Sequence, residues 1–131
     1  MVPRYQTPEM AELWSEENRY RMWALVEAYA LEAWEALGQV PKGLSQRLLE
    51  HLKEHPLDAR FAQRVAELEE VTRHDLVAFT RALVEWTGDE EVGRYLHLGL
   101  TSSDIVDTAQ NALLVRALDL ILEEISGVQE E

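Results

Sequence analysis

The chain has 131 residues, 47% of them hydrophobic, with 25 acidic side chains against 12 basic ones and a formal net charge of −13. That length suffices for one modest core, and the absence of cysteine excludes disulfides and thiolate metal sites. The acidic balance sets the long-range field against DNA, RNA and anionic membranes. There is no secretory leader pattern and no apolar run of the roughly 18–20 residues a bilayer demands, so the expectation is a soluble, cytoplasmic protein with neither nucleic-acid nor membrane partners.

In chain order the pattern reads as all-α. Thr7-Pro8-Glu9 is a helix start, with Thr7 as N-cap and Pro8 in the first turn, and Ser15 restarts the pattern. A long helix is predicted over about 16–37, closed by Gly38. Its buried stripe is read as Trp23, Val26, Ala30, Ala33, Trp34 and Leu37, leaving Arg19, Glu27, Glu32 and Glu35 largely outside. Val40-Pro41 and Gly43 form a turn before a helix over about 44–54, which stops ahead of Pro56. Asp58 caps a helix over about 59–71. Thr72 is read as the N-cap of the next, over about 73–86 and ended by Gly88. Asp89-Glu90-Glu91 forms a short helical turn. No stretch alternates with period two, so no strand is predicted. The four tryptophans, Trp14, Trp23, Trp34 and Trp86, are assigned to the core, and the acidic runs at 69–70 and 89–91 to solvated helix ends.

The last helix differs from the others. Between Ile105 and Leu122, 12 of 18 residues are apolar, too many for one buried face. One seam runs through Val106, Ala109, Leu113, Ala117 and Leu120, and a second through Leu114, Leu118, Ile121 and Ile125. Upstream helices can cover only one of them, so the second predicts a partner chain or a continuation of this one. The final residues bring nothing more to pack, the pattern expected of a truncated chain.

Two polar stretches stand at helix starts. One is Thr72-Arg73-His74-Asp75, and the other is His97-x-Gly99-Leu100-Thr101-Ser102-Ser103-Asp104. Helix N-termini present unpaired N–H groups and a partial positive charge, which suits anions. Arg73 adds a planar fork of donors for phosphate or carboxylate. Asp75 either extends the helix-start pattern or holds an imidazole nitrogen and fixes its tautomer. Thr101-x-x-Asp104 reads as a capping box, and the three consecutive hydroxyls beside Gly99 exceed what a cap requires. His97 is read on a partly buried, strand-like approach to the same space. The four histidines show no metal-ligand spacing, and no glycine-rich phosphate loop of the P-loop or dinucleotide type occurs.

These residues, with Arg4-Tyr5-x-x-Pro8-Glu9-Met10, Leu13-Trp14-Ser15-Glu16-Glu17-Asn18-Arg19, Glu32-Ala33-Trp34 and the continuation to Val106-Asp107-Thr108, resemble adenylosuccinate lyase of the fumarase/aspartase superfamily. The resemblance covers residues 1 to about 122. The Thr-Ser-x-Asp helix start belongs to the whole superfamily, whereas Arg4-Tyr5 and Arg73-His74-Asp75 favour adenylosuccinate lyase over argininosuccinate lyase, fumarase or the carboxymuconate cycloisomerases.

The resemblance implies a cofactor-free, metal-free β-elimination that releases fumarate from adenylosuccinate, giving AMP, and from the succinyl-carboxamide ribotide of purine synthesis. It implies that His74 is catalytic, near the reacting or phosphate region, with Arg73 and Asp75 contacting substrate beside it. Arg4 and Tyr5 would hold the nucleotide end, and Thr101 and Ser102 a succinyl carboxylate, with His97 contributing. The family's acid histidine and its mobile serine loop would lie beyond these residues. Family active sites draw on three subunits of a homotetramer, so this chain is expected to be inactive alone. The expected division is a small helical N-terminal domain over 1–95, then the first long helix of a central helical bundle over 96–131. A non-catalytic helical interaction module, with these loops acting only as caps, is the rival from another class.

Overall fold

The computed structural model describes residues 7–130, which form seven helices and no strand. The order is α1 (Pro8–Leu13), α2 (Glu16–Ala36), α3 (Leu44–Glu54), α4 (Ala59–Thr72), α5 (Asp75–Thr87), α6 (Glu90–Tyr95) and α7 (Ser102–Glu130). Local chemistry sets most of these limits. Thr7, Ser15, Asp58 and Asp89 each accept a backbone N–H of the helix they precede. Gly88 closes α5 with φ +62°, a conformation that glycine alone adopts at little cost.

The core lies where α2 packs on α3, α4 and α7, while α4 and α5 lie along each other. Tyr20 of α2 sits with its ring centroid 5.5 Å from Trp23, 5.7 Å from Phe61 of α4 and 5.8 Å from Phe79 of α5, all four buried. Such edge and stacked contacts add to area burial because ring edges and faces carry opposite partial charge. Arg47 of α3 ties down the start of α6, donating to Asp89 and Glu91. Those two acids are therefore paired, and the reading of 89–91 as merely solvated is corrected.

Other expectations also shift. The buried stripe of α2 runs through Tyr20, Trp23, Ala24, Glu27, Ala28 and Leu31. It is rotated from the predicted one, leaving Ala33 and Leu37 exposed and Glu27 fully buried. Trp14 is 39% exposed, so it is not core. It caps the end of α1, which is only six residues long and buries none of its own. Trp86 and Trp34 pack at the edge of the core, and Trp23 within it. Thr72 ends α4 and does not begin α5. Arg73 takes the left-handed conformation at φ +57°, and His74 becomes the N-cap.

Both seams of α7 are present, although in the first Val106 and Leu120 are only half-buried and Ile105 joins the buried residues. Ile105, Ala109, Leu113 and Ala117 are buried, while Leu114, Leu118, Ile121 and Ile125 stand 44–58% exposed. No helix among the described residues is long and apolar enough to cross a membrane.

Candidate functional site

The corner between α4 and α5 is two residues long, Arg73 and His74, and it turns His74 toward the start of α7. As N-cap, His74 uses Nδ1 to accept the N–H of Val77 at 3.3 Å. The neutral ring must then carry its proton on Nε2, which lies 3.4 Å from Ser102 Oγ. Two helix N-termini, twenty-eight residues apart in sequence, thus meet through one imidazole and one hydroxyl. The side chain of His74 is 46% exposed, so a ligand can reach it.

Asp75 Oδ1 stands 3.6 Å from His74 Nδ1 and accepts the N–H of Leu76 at 2.8 Å. Of its two expected roles, the helix-start one is present. The tautomer of His74 is set by Val77 N–H, not by Asp75. Thr72 Oγ1 braces the corner by donating to the carbonyl of His74. Arg73 is exposed on the same corner.

At the other stretch, Asp104 accepts the backbone N–H of Thr101 at 2.9 Å, the back-reaching half of the expected capping box. Thr101 is exposed and immediately precedes Ser102 in the first turn of α7. His74 and Ser102 are thus brought together across α5 and α7, with Asp75 and Thr101 their immediate chain neighbours.

His97 is held by a different partner. It has φ +64° inside a run of turns, so its approach is not strand-like. Its backbone N–H donates to Glu27 Oε2 at 3.0 Å, and its Nδ1 lies 2.7 Å from Glu27 Oε1. Glu27 has no exposed surface. Burial pushes its carboxyl above the ordinary range, opposed by the hydrogen bonds and charge of His97. The loop is also fastened one residue on, where Trp34 Nε1 donates to the carbonyl of Leu98 at 2.9 Å. Glu27 did not stand out from the sequence. The available signal was its position among Tyr20, Ala24 and Leu31 on a single helix face. Arg4 and Tyr5 lie outside the described residues.

Residues 3–130 match the protein family described as lyase. The chain belongs to the lyase family. Within lyases it is similar to the adenylosuccinate lyase of Deinococcus radiodurans, 52% identical over 99% of this chain and 29% of that protein. The adenylosuccinate lyase of Aquifex aeolicus is 40% identical over 100% of this chain and 29% of its own length. That of Bacillus subtilis is 44% identical over 95% of this chain and 27% of its own. This lyase chain therefore spans just under a third of the length of those relatives, and the motif-based resemblance and the measured similarity point to the same proteins.

Proposed function

We propose that these residues form the N-terminal share of an adenylosuccinate lyase, which removes fumarate from adenylosuccinate to leave AMP and acts likewise on the succinyl-aminoimidazole-carboxamide ribotide. The observation that carries this reading is the meeting of His74 Nε2 with Ser102 Oγ at the joined starts of α5 and α7. Elimination next to a carboxylate builds negative charge in the transition state, and preorganised donors in a helix mouth stabilise such charge without reorganising. On this reading Thr101 and Ser102 grip a succinyl carboxylate. Arg73, with Arg4 and Tyr5, holds the phosphorylated end, and Asp75 keeps the α5 start in shape. His74, with its Nε2 proton facing substrate, serves the reacting region. The reaction uses no cofactor or metal.

The assembly proposed is a homotetramer in the cytoplasm. Residues 1–95 would form a small helical domain, and 96–131 would open the bundle through which subunits meet. The exposed second seam of α7 supports that arrangement.

The test joins residues 1–131 to the remaining length of the Deinococcus relative. The chimera is expected to release fumarate from adenylosuccinate, while the 131-residue chain alone releases none. His74→Ala in the chimera is expected to lower kcat/KM by about a hundredfold or more. Release from argininosuccinate in preference, or full activity of the chain by itself, would overturn the reading. So would an active chimera indifferent to His74→Ala.

A further inference from the structure

We propose that buried Glu27 is a positioning residue that fixes the tautomer of His97, so that Nε2 is the ring nitrogen presented to substrate. An ionised carboxylate only accepts hydrogen bonds. Glu27 accepts two from a single residue, one from the backbone N–H of His97 and one at Nδ1. Nδ1 is then the protonated atom of the neutral ring, and Nε2 keeps its lone pair. The imidazole is 27% exposed and borders a cleft of about 350 Å³ with Thr80, Arg81, Glu85 and Leu96, where Glu85 is paired with Arg64. Among the described residues Nε2 has no hydrogen-bond partner.

The backbone supports the same conclusion. A non-glycine residue at φ +64° is strained and persists where its surroundings over-determine it. Here α2 holds the turn at two points. Glu27 grips His97, and two helical turns later Trp34 grips Leu98 and lies against Gly99. A caps-only role for the loop does not call for a fully buried carboxylate. A ring held with one particular nitrogen toward a ligand does, because only a fixed acceptor at Nδ1 keeps the Nε2 lone pair outward. This use of Nε2 rests on the lyase reading above, whereas the tautomer itself does not.

Nitrogen-15 NMR of the imidazoles in the 131-residue chain, at a pH where they are neutral, reads the tautomer directly. His97 is expected to carry its proton on Nδ1, and a proton on Nε2 would overturn the proposal whatever the substrate. Glu27→Gln keeps the acceptor for the backbone N–H but turns a donor toward Nδ1, so it is expected to move the proton to Nε2. A folded variant that keeps the Nδ1 proton refutes the proposal, and if the variant does not fold, the wild-type spectrum decides. In the chimera, the same substitution is expected to lower kcat/KM by about tenfold to a hundredfold, the effect of losing one hydrogen bond to a charged group. The loss is expected in KM more than in kcat. A change under about twofold would overturn the positioning role. A chimera that releases no fumarate at all defeats the lyase reading, and leaves the tautomer to the spectrum.

Discussion

Glu27 shows how much one buried charge can reveal about a fold. Burial raises its carboxyl pKa and His97 pulls it back, with burial the larger effect. A group whose pKa is higher folded than unfolded contributes stability at low pH that is lost as pH rises through the folded value. Below the ordinary glutamate value of 4.5, Glu27 is protonated in both states and imposes no penalty. Just above it the unfolded chain ionises while the buried carboxyl keeps its proton, until the pH passes the raised folded value. The unfolding free energy of the wild type relative to Glu27→Gln is therefore expected to fall as pH increases from about 4 and then to level off. Urea denaturation of both proteins across that range measures it. A difference that grows with pH would mean that the His97 hydrogen bonds outweigh burial. His74 makes a complementary point. Using its Nδ1 as a helix cap leaves the proton on the other nitrogen, beside Ser102, so one local hydrogen bond selects the chemistry of the far side of the ring.

At the scale of elements, the turn between α6 and α7 depends on α2. Gly99 has φ +68°, and a Cβ there would come 2.8 Å from Trp34 Cζ2. Gly38 has a similar φ of +74°, with nothing within 4 Å of its Cβ position. Gly38→Ala is thus expected to cost only the left-handed strain, roughly 1–2 kcal/mol. Gly99→Ala is expected to cost more, since the indole must also move and the hydrogen bond to Leu98 is weakened. Thermal unfolding followed by circular dichroism separates the two, and equal losses would show that the indole yields freely.

The same comparison shows what was legible in the sequence. The limits of α3, the start of α4 and the end of α5 followed from Gly43, Pro56, Asp58 and Gly88, because caps and breakers act on their immediate neighbours. The back-reaching Asp104 and the two seams of α7 were legible for the same reason, being spaced within one helix. The burial of Glu27 was not. Its partner lies 70 residues away, and alone it looks like any solvated glutamate. Nor was His74 as N-cap, since Thr72 is the better capping residue by local preference and tertiary packing carried α4 through it. Of the candidate site, residue types and helix starts could be read from the chain, while the pairing across α5 and α7 required the fold.

For the whole molecule the deciding surface is the outer face of α7. Leu114, Leu118, Ile121, Ile125 and Val128 follow one another at steps of four, three, four and three residues. That is the spacing of a helix seam that packs knobs into the holes of a partner helix. All five are more than two-fifths exposed, and the apolar area they leave in water favours self-association. The net charge of −13 opposes it, because like-charged copies repel over the Debye length. The chain is accordingly expected to self-associate in a concentration-dependent way that strengthens as salt screens the repulsion, as measured by sedimentation velocity. Replacing Leu118 and Ile121 together by lysine should give a monomer of unchanged helical content, because neither side chain belongs to the buried seam. If instead the wild type sediments as a monomer at all concentrations and salts, this seam is not where copies of the chain meet, and the bundle assembly proposed for it fails.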